Sequence, residues 1–225
     1  MKKRNIMAFA VLSAIMLTAF GCSGETDDSN VQPVTENITT ENTTESSTES
    51  STEAAENTPA PQEVIQPFID YFDGFNEGNP EKIIAAVTPQ CYIDAMKNVE
   101  RYEEFVNSTD MDITMTMEQW TTLYGADPKA SYIDEISNTK LNEEQLKLAE
   151  LCYKYTYYDL NTDVTLTDGY EVNFKYCVEG ADNREESEET ACFVCTEDGK
   201  WQMIALSAEM LKQYEGAEDP FAEVE

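Results

Sequence analysis

Histidine is absent from these 225 residues, so the side chain that shuttles protons most readily near neutral pH is missing. Any acid–base chemistry would fall to Asp, Glu, Tyr or Lys. Positive charge is scarce as well: 14 Lys and Arg stand against 45 Asp and Glu, a formal charge of −31. So anionic a surface repels phosphate backbones and anionic lipid headgroups alike, which argues against nucleic acid as a partner and for basic or cation-bridged ones. Nor is there an apolar run of membrane-spanning length. The longest, Ile6–Phe20, is broken by Ser13 and Thr18 and falls short of the ~20 residues a bilayer core requires.

What that run does have is a basic start at Lys2, Lys3 and Arg4 and small residues near its end. Together these features describe an export signal rather than a span. Ala19-Phe20-Gly21-Cys22 resembles the lipobox of bacterial lipoproteins at Gly21 and Cys22 and departs from it at Ala19 and Phe20. Ala19-x-Gly21 also fits ordinary signal cleavage, the alternative being a secreted protein with an N-terminal thiol. The lipoprotein resemblance implies a leader over 1–21 and a diacylglyceryl group on the Cys22 thiol. It also implies an acyl group of the palmitate kind on the new amine, and anchoring at the extracytoplasmic face of a bacterial cell membrane. More than one chain is needed because each buried methylene adds only about 0.8 kcal/mol, and a single chain holds marginally.

From Cys22 to Ala60 there is no Lys or Arg, and the large apolar residues after Cys22 are Val31, Val34 and Ile38. A Ser/Thr/Glu-rich tract of this kind buries too little surface to offset ordering entropy, and its glutamates repel one another. It is expected to act as a disordered spacer with a contour length on the order of 120 Å. Residues 61–214 are long enough for one domain with a real core. Residues 215–225 form an acidic tail expected to be loose.

Within the domain the period is first helical. Ile65, Phe68, Ile69 and Phe72 share one helix face, with Pro67 marking a kink or a start, and Gly78 ends the run. Asn79-Pro80 and Thr88-Pro89 each read as a cap followed by a first-turn proline, the second helix carrying Ile83, Ile84 and Val87, the third Tyr92, Met96 and Val99. "MEQWTTLYG" reads as another helix closed by Gly125, and "ASYIDEIS" as a short strand. Asn142 with Gln145 opens a further helix as a capping-box variant, with Leu148, Leu151, Cys152 and Tyr155 at helical spacing. Beyond Asp159 the period becomes two. Tyr170, Val172, Phe174, Tyr176 and Val178 share one strand face, as do Ala191, Phe193 and Cys195, and an Asp198-Gly199 turn leads to a last strand in "GKWQMIAL". The class is therefore α+β, with N-terminal helices packed against an antiparallel meander.

"FNEGNPEKIIAAVTP" and "EDGKWQMIAL" resemble the first-helix signature and the last hairpin of nuclear transport factor 2-like domains. That resemblance implies a cone-shaped α+β fold with a curved sheet, of the kind also carried by secreted lipoproteins. Its relatives include isomerases, dehydratases, polyketide cyclases and non-catalytic binding modules, so the fold does not assign chemistry. No catalytic residue is singled out; an Asp/Tyr proton-transfer pair in the cone remains the enzymic alternative to a binding module. An assembly role through the sheet face is a third.

The remaining candidates are weighed on spacing. Cys192-x-x-Cys195 lies in an alternating strand, where i and i+3 project to opposite faces, unlike a redox pair at a helix N-terminus. If Tyr176 pairs with Phe193, Cys177 stands across from Cys192, which makes these two the expected disulfide. Five domain cysteines cannot all pair, and Cys152 is expected in the core. Asp159, Asn161 and Asp163 begin like a calcium loop, but Val164 and Tyr170 replace its glycine and its bidentate glutamate, so a polar turn is expected and no metal. "NREESEE" reads as a solvated hairpin tip. No cofactor is expected; a small ligand or protein partner is, with a homodimer left open.

Overall fold

The computed structural model describes residues 59–221. The leader, Cys22 and nearly all of the spacer lie outside the described residues. The first helix, α1 (Gln62–Glu77), buries Val64, Ile65, Phe68, Tyr71, Phe72 and Phe75. Pro67 falls inside it rather than starting it. Gly78 closes it at φ 63°, a conformation glycine adopts without steric cost. Helix α2 (Pro80–Val87) begins as its sequence dictates: the Asn79 side chain accepts a bond from Lys82 N at 3.2 Å, and Pro80 fills the first position. Gly74 lets α2 lie close, since a Cβ there would come within 2.4 Å of Ile83 Cγ1.

Helix α3 (Gln90–Asn98) corrects one expectation. Its N-cap is Pro89 and no side chain caps it, because Thr88 is engaged elsewhere: its hydroxyl lies 2.8 Å from that of Tyr157. Tyr92 and Met96 are buried, whereas Val99, just past the helix end, is exposed. Helix α4 spans Tyr102–Tyr124, far longer than "MEQWTTLYG" suggests, and buries Thr109, Ile113, Thr116, Trp120 and Tyr124. Its threonines are reconciled with a helix by bonding back one turn, as Thr109 does to Phe105 O and Thr121 to Met117 O.

The four strands β1 (Lys129–Lys140), β2 (Leu166–Glu179), β3 (Arg184–Thr196) and β4 (Trp201–Ile204) form one antiparallel sheet in sequence order. Helix α5 (Glu143–Thr156) sits between β1 and β2 and opens with the expected reciprocal Asn142–Gln145 capping box. A short helix, α6 (Ala208–Leu211), follows β4. Both faces of the sheet are covered. On one, Val172, Phe174, Tyr176, Val178, Ala191, Phe193 and Met203 form a core with α1, Ile113, Trp120 and Tyr124. On the other, Leu166, Cys192, Val194 and Ile204 pack with Leu148, Ala149, Cys152, Tyr153 and Leu211. The α+β class holds; the sheet lies between two helical layers. The stripe of α5 is rotated from the expected one, Ala149 and Tyr153 being buried while Tyr155 is exposed.

The hairpin register differs from expectation, and the disulfide falls with it. The β2–β3 turn is at Gly180–Asn183, closed by Gly180 N to Asn183 O at 2.9 Å, so "NREESEE" is strand from Arg184 onward rather than a solvated tip. Phe193 pairs with Tyr170, not Tyr176; Cys177 faces Glu186 and Cys192 faces Glu171. Six ladder positions separate the two cysteines, about 20 Å at ~3.4 Å per residue. Both are free thiols, and Cys177 lies 3.2 Å from Ser131 Oγ. The start of the tail is also held: Lys154 pairs with Asp219 at 2.6 Å and Tyr155 donates to Glu218 O at 2.7 Å.

Candidate functional site

Period two continues into β3 before Ala191. Glu185, Ser187 and Glu189 therefore project to the same side as Ala191 and Phe193, the face covered by α1 and α4. Across the ladder Ser187 pairs with Tyr176 and Glu189 with Phe174. Tyr124, at the end of α4, donates to Glu185 Oε2 at 3.1 Å. Tyr71 comes in from α1 close to Asp112 and Tyr176. Three phenols and three carboxylates thus ring the place where α1, α4 and the β2–β3 hairpin meet.

Beneath this rim lie packed rings. Phe68 and Phe174 have centroids 4.1 Å apart, Phe72 and Tyr176 5.2 Å, and Phe75 and Trp120 5.6 Å. These tilted contacts are the arrangement aromatic quadrupoles favour. Burial shapes the titration of the rim. The Glu189 carboxyl is pushed up by loss of water, against a bond from the Thr190 amide. Tyr176 is pushed up to about 12 by burial and by nearby Glu189, with Ser187 opposing. Tyr124 is raised to about 12, burial leading and Glu185 adding. At neutral pH the phenols therefore keep their protons and act as donors beside carboxylate acceptors, a set suited to cations and hydrogen-bonding groups.

No protein-family model, curated protein or solved structure matches this chain.

Two other places hold polar groups. An open cleft of about 360 Å³ lies at the hairpin end, lined by Ala126, Asp127, Lys129, Glu179, Gly180 and Ala181. It forms where Tyr124 and Ala126 carbonyls accept bonds from the Asp182 and Ala181 amides at 2.9 and 3.0 Å. In the second core, Tyr92 stacks on Tyr157 at 4.6 Å with Tyr153 beside them, and the Tyr92 and Tyr153 hydroxyls are buried without a hydrogen-bond partner. The tyrosines of "YKYTYY" thus split between this stack and the surface, where Tyr155 and Tyr158 are exposed.

The calcium-like stretch is spent on ion pairs: Asp159 binds Arg101, and Asp163 binds Lys154 at 2.8 Å. Among the described residues no group of three His, Cys, Asp or Glu side chains is placed to hold a metal. Cys152 is buried as expected, and Cys192 and Cys195 do not share a face: Cys192 belongs to the second core. Cys22 lies outside the described residues, and among those no helix is long and apolar enough to cross a membrane. The rim itself escaped sequence reading. Its signal was present, Glu-x-Ser-x-Glu in phase with Ala191 and Phe193, but a run of glutamates reads as solvated loop.

Proposed function

We propose that this chain is a lipoprotein held at the extracytoplasmic face of a bacterial membrane through acylated Cys22. Its one α+β domain, of nuclear transport factor 2-like type, binds a cationic small ligand or a basic protein without chemistry. The observation that carries the binding reading is the packing of Phe68, Phe72, Phe174 and Trp120 beneath the rim. An isomerase- or dehydratase-like site would need a carboxylate and a donor facing a substrate-sized space in the cone. Rings occupy that interior, and Glu185 and Glu189 stand at its edge, where charge meets a ligand arriving from solvent. The chain's −31 charge favours a cationic ligand and disfavours nucleic acid.

Spermidine is a suitable probe because it carries distributed positive charge and no substrate-like functional group. Titrated into the protein at low salt, it is expected to shift the amide resonances of Tyr124, Tyr176, Glu185 and Glu189 first. The double variant Glu185→Gln/Glu189→Gln is expected to bind it several-fold more weakly, since each solvent-facing ion pair contributes about 0.2–1 kcal/mol. Shifts spread evenly over the acidic surface and indifferent to the double variant would overturn the assignment of the rim.

A further inference from the structure

The β4 strand is short. It pairs with β3 only at Cys192–Cys195, while β3 begins at Arg184. Among the described residues, no backbone–backbone bond reaches the outer edge of β3 from Arg184 to Ala191. The phase of that edge is fixed, since Cys192 N bonds outward to Leu206 O at 2.9 Å. In an antiparallel strand the residues that point N–H and C=O to one side alternate, so Glu186 and Glu188 offer both groups outward and Thr190 its carbonyl, its amide being taken by the Glu189 carboxylate. These are unfilled places for an added strand. The opposite edge, on β1, is interrupted by irregularities between Tyr132 and Asp134 and between Glu135 and Ser137, the usual protection of an edge. The β3 edge has none.

We propose that this segment of β3 takes an extended, lysine- or arginine-rich segment of a partner protein as a fifth strand. Side chains of such a strand would stand beside Glu186 and Glu188 on one face of the sheet and beside Glu185 and Glu189 on the other, and opposite charges across strands stabilise pairing. The charge of the edge selects the occupant. This chain's own spacer, Ser23 to Ala60, carries no Lys or Arg, and its tail after Glu215 is acidic, so neither complements it. A second copy would set glutamates against glutamates. The cations already there, Lys175 on Glu188 at 3.3 Å and Arg184 on Glu186 at 2.9 Å, form half-exposed pairs of small net stabilisation that a basic strand can replace.

The proposal rests on reading the domain as a binding module, and the test separates the two. The probe is a seven-residue peptide alternating lysine and threonine, offered to the full chain in detergent micelles. A second peptide of the same sequence and charge carries N-methyl groups at alternate residues, so it cannot complete a ladder. The unmodified peptide is expected to bind at least roughly tenfold more tightly than the methylated one, the value of one or two net hydrogen bonds. It is also expected to slow amide exchange at Glu186 and Glu188. Glu188→Pro, which removes an outward N–H that the β2 ladder does not use, is expected to abolish the difference between the peptides. Equal binding of the two peptides to the parent chain, unprotected amides, or no binding at millimolar peptide each overturns strand addition. Where the peptide fails but spermidine still acts at Tyr176 and Glu185, the binding module survives; where both fail, both readings go.

Discussion

Glu189 occupies a strand position whose neighbours in phase, Ala191 and Phe193, are fully buried. Its carboxyl is harder to ionise in the folded chain than in the unfolded one, and loss of water is the leading cause. Ionisation at this site therefore opposes folding. The opposition is absent below the unfolded carboxylate value of about 4.3, grows as pH rises past it, and is complete above the elevated folded value. Glu189→Gln is accordingly expected to be more stable than the parent near neutral pH and indistinguishable from it below about pH 4. Urea midpoints of both chains at the two pH values give the answer; a variant less stable than the parent at neutral pH would show that Glu189 is held by an ion pair instead. Thr88 teaches a different lesson at this scale. Thr-Pro reads locally as a cap, yet its hydroxyl serves Tyr157, 69 positions away, and no local rule announces a partner that distant.

At the scale of the element, the β2–β3 hairpin decides most of the site. Its turn is set by contacts from outside the hairpin: Ala181, Asp182 and Asn183 amides all bond to the Tyr124–Ala126 segment. Gly180 is the residue that permits this approach, since a Cβ there would lie 2.4 Å from Tyr124 O. Gly180→Ala is thus expected to cost about 1–3 kcal/mol, the usual penalty of forcing atoms into a filled space. Chemical denaturation measures it, and a loss below about 0.5 kcal/mol, the ordinary scatter of surface substitutions, would contradict the packing. The same elements show what the sequence makes legible. The caps at Asn79 and at Asn142 with Gln145, the face shared by Val172, Phe174, Tyr176 and Val178, and the Asp198-Gly199 turn are all local and all present. The register was not legible, because Gly180–Asn183 lacks a two-residue turn signature and the glutamates after it look like a loop. A six-residue slip preserves the side-chain alternation, so the faces came out correctly while the cysteine pairing did not. The length of α4 was hidden by Asn107, Ser108, Thr109 and Asp110, residue types that favour caps and turns, although the Thr109 hydroxyl bonds back to Phe105 O along the helix.

For the whole molecule, the lipoprotein proposal sets charge and hydrocarbon at different ends of the chain. Removal of Lys2, Lys3 and Arg4 with a leader would leave 11 basic against 45 acidic residues, and such a body is repelled by anionic headgroups. Under the proposed lipoprotein reading, adhesion comes from acyl chains on Cys22, and the acidic rim and the β3 edge are what cationic partners meet. Partitioning of the producing cell's envelope after a high-salt wash, for the parent and for Cys22→Ser, tests this most directly. The account predicts that the parent stays with the membrane and the variant leaves it. A variant retained as fully as the parent would contradict it.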